Sequence, residues 1–136
     1  MDLNITGAVI NLIAITSIGT FWAILFLQSG LDKIFDWKGN LEWLTGHFAE
    51  SPLASLVKPM LLLITIFELL SGAISGIGVA VFWIKEDGFL ILLGLILSII
   101  SLTMLFFGQR VAKDYPGAQS IAIYFGIALL SLMFLK

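Results

Sequence analysis

The sequence predicts an all-α protein, an integral membrane four-helix bundle with a short interfacial amphipathic helix between spans one and two. Hydrophobic residues make up 60% of the 136-residue chain and charged residues only 12%. Soluble domains are about half apolar and a quarter charged. The apolar residues also form four long runs, each near the roughly 20 residues that a membrane helix needs. We therefore expect a bilayer to be the solvent of this chain.

These runs predict a single membrane domain over residues 1–136, with spans at about 9–31, 59–84, 88–108 and 116–135. Helices are expected because every backbone polar group in lipid must be paired. The first run lacks a basic leading segment and a small-residue cleavage site, which predicts a retained helix rather than a signal peptide. Lys85–Gly88 predicts a tight turn, and Pro116 suits the first turn of the fourth helix.

The one long connection, between the first and second spans, predicts an amphipathic helix. Its apolar residues Leu41, Leu44 and Phe48 share a helical stripe, which is typical of a helix lying in the membrane interface. Trp37 and Trp43 fit the aromatic belt of that interface.

The end of this connection predicts a second short helix. Ser51 and Pro52 have the residue types of an N-cap and a first helical position. We expect this helix to lead into the second span, with a kink at Pro59.

The basic residues favour one orientation in the membrane. Five lie on the side of the long connection, namely Lys33, Lys38, Lys58, Arg110 and Lys113, against Lys85 and Lys136 on the other. Basic loops stay in the cytoplasm, which would place both termini outside. If Lys33 and Arg110 belong to a binding site, the count narrows to three against two.

Glu68 is the only charged residue in the second span, Pro59–Ile84. A charge at mid-membrane costs roughly 2.5–3.5 kcal/mol, so such residues usually face a bundle interior and mark a site. Helical rise places Glu68 and Tyr124 ~12–14 Å below the same face, with Gln28 at a similar level. A shallower layer holds Lys33, Gln109 and Arg110. We take these six residues as the candidate ligand-binding residues.

The chemistry of this cluster suits a polar head group on an apolar molecule. An isolated carboxyl in low dielectric tends to be neutral, whereas a nearby Lys33 or Arg110 favours the carboxylate. The Tyr124 hydroxyl and the glutamine amides would orient a carbonyl, and the apolar walls would accept a quinone or a lipid. Alternatively, Glu68 is an interhelical hydrogen-bonding group, and Lys33 and Arg110 are anchors that extend to the interface.

The composition argues against several other kinds of site. Without cysteine, the chain has no disulfide relay and no cysteine-ligated metal. One histidine, His47, argues against a haem or zinc site with several histidines, so we expect no metal and no intrinsic cofactor. No basic patch suggests nucleic acid as a partner. Any redox centre would come from a partner protein or a soluble cofactor.

Two short motifs carry a family resemblance. Gly30–Lys33 has the form G-x-x-K at the end of the first span, and Glu68–Gly72 has the form E-L-x-x-G in the second. With the four-span pattern, they resemble the DoxX family of bacterial membrane proteins, although Ser71 stands where that family often has glycine. The resemblance implies a multi-pass protein of the bacterial inner membrane. It also implies an association with quinone-linked oxidoreductases, while members of the wider superfamily assist assembly or handle lipids.

These observations leave three functions open. The first is a quinone-binding accessory or anchor subunit of an oxidoreductase, in which Glu68 handles the quinol proton and Tyr124 or Gln28 positions a carbonyl. The second is a scaffold or assembly subunit that uses the third span, which lacks ionisable groups, as its docking surface. The third is a carrier of lipids or hydrophobic metabolites. Other membrane protein subunits are expected partners in the first two.

Overall fold

The computed structural model describes residues 3–135, and within them the chain is helical and contains no strand. Five α-helices follow in order: α1 (Leu3–Phe35), α2 (Trp37–His47), α3 (Val57–Lys85), α4 (Phe89–Val111) and α5 (Tyr115–Phe134). A short 3₁₀ helix, Ala54–Leu56, precedes α3. The helices α1, α3, α4 and α5 are long and apolar enough to cross a membrane. They correspond to the four predicted spans, and α1 extends beyond its predicted limits at both ends.

Helices α3 and α4 lie at the centre of the packing of the four long helices. Helix α3 lies between α1 and α4, α5 packs mainly on α4, and α1 also contacts α4 and α5. The buried apolar core joins three helices, through Trp22, Phe26, Leu95, Leu102 and Ala128. The Trp22 indole N–H donates to Ser131 Oγ at 3.4 Å, which ties α1 to α5.

Small residues on α3, at the small-xxx-small spacing of Ser71/Ser75 and Gly72/Gly76, permit close approach on two faces. A Cβ atom on Gly72 would lie 2.6 Å from the backbone nitrogen of Leu27, so α1 packs directly against this glycine. On the other face, Ser71 Oγ donates to the carbonyl oxygen of Gly94 on α4 at 3.1 Å. At these two positions, α3 contacts its neighbours through backbone and hydroxyl groups.

The third span, which the scaffold hypothesis takes as a docking surface, is partly buried in the bundle. Helix α4 packs against three other helices. Its buried residues are Ile91, Gly94, Leu95, Ser98, Ser101 and Leu102. The absence of ionisable groups is therefore explained by interior packing, in which hydroxyl groups bond within and between helices. Helix α5 is the least buried of the four.

The turns follow the sequence signals with two corrections. Glu86 adopts a left-handed conformation with φ 56° and ends α3, as the predicted tight turn requires. The amphipathic helix α2 begins at Trp37, with the Asp36 side chain accepting from the Gly39 N–H. Ser51 forms a local turn, bonding Phe48 and Leu53, and is not an α-helical N-cap. Pro59 lies in the first turn of α3 rather than at a kinked junction.

The contact at Gly72 makes a prediction about stability. We expect Gly72→Ala to lower the free energy of unfolding by about 1–3 kcal/mol, because the new methyl group must displace the α1 backbone. Gly126→Ala is the matched control, since nothing lies within 4 Å of a Cβ at that helical position. Unfolding in detergent, followed by circular dichroism, measures both. Equal stability of the two variants would contradict the α1–α3 packing described here.

Candidate functional site

Glu68 is 1% exposed and pairs with two residues of α1. Its Oε2 lies 2.8 Å from Lys33 Nζ, and its Oε1 accepts from Ser29 Oγ at 3.1 Å. The Lys33 ammonium also donates to the Ser29 carbonyl oxygen at 3.2 Å and to Ser29 Oγ at 2.9 Å. Apart from Lys33, Oε2 has no polar partner within residues 3–135. The result is a closed cluster of three side chains between α1 and α3.

The Lys33 side chain points back along α1 toward the middle of the bundle. Lys33 lies in the last turn of α1, and helical side chains lean toward the helix N-terminus. A lysine near a helix end usually extends outward to solvent. Here the side chain is only 15% exposed and its ammonium sits beside Ser29, one turn deeper. Lys33 is therefore part of an interior cluster and not an interfacial anchor.

A pocket lies next to Lys33 because α1 ends early at this end of the bundle. Ser29 and Glu68 stand at one level, since they share a hydrogen bond. Helix α1 continues six residues beyond Ser29 to Phe35, whereas α3 reaches eleven residues back from Glu68 to Val57. The difference of five residues leaves α1 ~7.5 Å shorter. The chain then turns into α2, which lies beside the gap.

The gap is a pocket of about 260 Å³ with almost entirely apolar walls. It is lined by Lys33, Leu44, Phe48, Val57, Met60, Leu61, Leu63, Ile64, Met104, Leu105, Gly108 and Gln109. Leu44 and Phe48 come from the predicted amphipathic stripe, so the apolar face of α2 covers the pocket. Glu68 does not line it. Lys33 does, and so stands between the carboxylate and the pocket.

Gln109 carries the second polar side chain of the wall, and it is held by His47. The His47 Nε2 lies 2.8 Å from Gln109 Oε1 and 3.7 Å from Asp114 Oδ2. The imidazole stacks on Trp43 with ring centroids 4.5 Å apart. Asp114 caps α5 by accepting from the Gly117 N–H at 2.9 Å. These contacts connect α2 to the end of α4 and the start of α5.

Three of the six predicted site residues lie neither in the cluster of Ser29, Lys33 and Glu68 nor in the pocket wall. Gln28 is exposed and makes no hydrogen bond within residues 3–135, because it projects from α1 about 100° away from Ser29. Tyr124 packs against the apolar core around Trp22. The Arg110 guanidinium lies over the Tyr115 ring, 4.7 Å from its centroid. The shared depth predicted for Gln28, Glu68 and Tyr124 therefore does not bring their side chains together, since Glu68 pairs with Ser29 and Lys33.

Sequence reasoning gave too little weight to three residues that the structure places in or beside the site. Ser29 is four residues from Lys33, a spacing that puts both on one helix face. Asp114 precedes Tyr115-Pro116, and aspartate followed by proline is a recognisable helix start. His47 has no comparable sequence signal, because its partners come from α4 and from the α4–α5 connection.

No family model matches this chain, and no curated protein or solved structure matches it either. The two motifs of the DoxX resemblance nevertheless meet in space. Lys33 pairs with Glu68, and a Cβ on Gly30 would lie 2.7 Å from the Leu69 side chain. Both motifs therefore belong to one helix–helix contact between α1 and α3.

The buried Lys33–Glu68 pair predicts that removing one partner lowers stability more than removing both. Lys33→Met leaves the Glu68 carboxylate without its cation, and removing one partner of a buried pair costs about 3 kcal/mol or more. We expect the double variant Lys33→Met/Glu68→Leu to be more stable than Lys33→Met alone, because it removes both charges. Unfolding in detergent measures the difference, with Lys58→Met at an exposed position of α3 as the control. The single variant Glu68→Leu completes the comparison. If the loss of stability in the double variant equals the sum of the losses in the two single variants, Lys33 and Glu68 are not coupled.

Proposed function

We propose that this chain is a small multi-pass protein of the bacterial inner membrane that binds a quinone in the pocket beside Lys33. It would act as an accessory subunit to a partner that carries the redox centre. The observation that carries the proposal is the pocket itself, an apolar cavity of about 260 Å³ with polar groups at its wall from Lys33 and Gln109. Such apolar cavities with few polar groups are typical of small-molecule sites.

The pocket size favours a ring over a whole lipid. An engineered protein cavity of about 150 Å³ holds benzene. A pocket of about 260 Å³ therefore has room for a substituted or fused ring, and a long tail would extend beyond it. Two methionines, Met60 and Met104, line the wall, and thioether sulfurs make favourable contacts with aromatic rings.

The charge of the pocket favours a neutral head group. Among residues 3–135, Lys33 is the only charged residue that lines it, and its ammonium is paired with Glu68 at 2.8 Å. A carboxylate or phosphate would have to compete with Glu68 for that cation. A neutral quinone can bind without displacing Glu68 from Lys33. Glu68 remains the candidate for handling protons, acting through Lys33 rather than touching the ligand.

The outer face of α1 supports the accessory role. Gln28 places an amide without a hydrogen-bond partner in the described chain on this face. In lipid, amide side chains typically bond across helices. A partner subunit against α1 would satisfy this amide. The alternative of a scaffold subunit shares this surface, but it leaves the pocket unexplained.

Ligand extraction tests the pocket. We expect protein purified in mild detergent to yield a quinone in near-stoichiometric amount by mass spectrometry of the organic extract. Leu105→Trp should remove it, because Leu105 lines the pocket and the larger ring fills the space. Phe106→Trp is the matched control, since the neighbouring Phe106 is 39% exposed on the outer surface.

Two results would contradict the quinone proposal. One is an extract that contains only phospholipid, in equal amount from both tryptophan variants. The other is a quinone that Leu105→Trp retains at the level of Phe106→Trp.

The membrane orientation can be tested separately. With Lys33 turned inward, four basic residues remain on the long-connection side, Lys38, Lys58, Arg110 and Lys113, against two on the other. The positive-inside rule then places the long connection in the cytoplasm. The chain has no native cysteine, so a maleimide can label only the single cysteine that is introduced. In intact cells, an impermeant maleimide should label Asp87→Cys but not Glu50→Cys, and the reverse pattern would invert the topology.

A further inference from the structure

We infer that Gln109 is the hydrogen-bond donor to the pocket's ligand, and that His47 is a positioning residue that orients its amide. The ligand class is then a neutral, apolar ring that carries a carbonyl oxygen. This inference rests on the proposed function and deepens it. Tyr124 and Gln28 were expected to position a carbonyl, but they do not line the pocket. Gln109 takes their place.

Lys33 is already engaged inside the buried cluster: it donates to the Ser29 carbonyl oxygen and to Ser29 Oγ, and it is ion-paired with Glu68. A lysine ammonium has three donors. In this structure Lys33 Nζ has three acceptors within reach, the Ser29 carbonyl oxygen, Ser29 Oγ and Glu68 Oε2, at 3.2, 2.9 and 2.8 Å. A ligand could take one of these bonds only by breaking the buried cluster. The other polar residue that lines the pocket, Gln109, has a donor that is not engaged in this cluster.

The Gln109 amide is oriented by its environment. Its oxygen can only accept, so the 2.8 Å contact assigns the hydrogen to His47 Nε2 and leaves the amide nitrogen turned away from the imidazole. That nitrogen has no hydrogen-bond partner within residues 3–135. The absent side chain at Gly117 makes room both for this nitrogen and for the Asp114 carboxylate, since a Cβ there would lie 2.8 Å from Gln109 Nε2 and 2.6 Å from Asp114 Oδ2.

His47 is itself fixed on several sides. Its ring stacks on Trp43 and meets the edge of Phe48, with centroids 4.5 and 5.2 Å apart. Asp114 Oδ2 lies 3.7 Å from the same nitrogen that contacts Gln109. The imidazole therefore has little freedom to turn, and it holds the glutamine oxygen in place. A free donor in an apolar wall favours a ligand with an acceptor over a hydrocarbon of the same shape.

A matched pair of ligands tests this selectivity. Menadione and methylnaphthalene have the same fused rings and methyl group, but only menadione has carbonyl oxygens. The chain has no cysteine for the quinone to alkylate. Titration would be followed by NMR of methionine methyl groups. Met60 and Met104 line the pocket, whereas Met133 is 61% exposed on α5 and reports partition into the detergent.

We expect wild-type protein to bind menadione about three- to ten-fold more tightly than methylnaphthalene, the range that one net hydrogen bond supplies. His47→Phe keeps a ring for Trp43 to stack on and removes the N–H. Gly117→Ala retains His47 and pushes on both the amide nitrogen and the Asp114 carboxylate. Both should bring the ratio of the two affinities close to one. Methylnaphthalene affinity should stay unchanged in both, which also shows that each variant is folded.

The outcomes separate this inference from the proposed function. If neither ligand shifts Met60 or Met104, the pocket is not a ring-binding site and the proposed function fails. If both ligands bind wild-type protein equally well, the pocket is a ring-binding site but Gln109 is not a donor to the ligand. If both folded variants keep the wild-type ratio, His47 does not position the amide and the inference is overturned.

Discussion

The ion pair between Lys33 and Glu68 is the constraint on which the rest of this structure depends. Glu68 is 1% exposed, so its carboxylate requires a partner inside the bundle. Lys33 meets that requirement only by turning back along α1 to reach the level of Ser29. Buried pairs contribute little net stability compared with apolar packing, but they penalise any arrangement that separates them. The pair therefore sets the register of α1 against α3.

The pocket is a consequence of that register. With Ser29 level with Glu68, α1 ends ~7.5 Å below the end of α3, and α2 lies beside the space that remains. The same arrangement directs the charges away from the pocket, because Lys33 gives its donors to Ser29 and Glu68. The cavity wall is apolar apart from Lys33, which is paired with Glu68, and Gln109. Its chemistry is thus set by how the polar groups satisfy one another.

Much of this fold could be predicted from the sequence, because apolar runs and turn residues are local signals. The four spans, the Lys85–Gly88 turn and the covering helix α2 follow from such signals. The site was harder, because residue spacing along a helix gives depth but not direction. Gln28 and Ser29 differ by 1.5 Å in depth and about 100° in direction, and only Ser29 faces Glu68. The contacts of His47 could not be predicted, because its partners Gln109 and Asp114 lie at the α4–α5 end of the bundle and meet α2 only in the folded chain.

The two parts of the site have different structural roles. Gly30, Lys33, Glu68 and Gly72, the residues of the two short motifs, all lie at the α1–α3 contact. In this chain their role is to hold α1 against α3. His47 and Gln109 lie outside those motifs, at the end of α2 and near the end of α4, where substitutions leave the α1–α3 contact intact. Because function depends on sites built on a fold, ligand choice in this architecture should vary at His47 and Gln109 while the ion pair is retained.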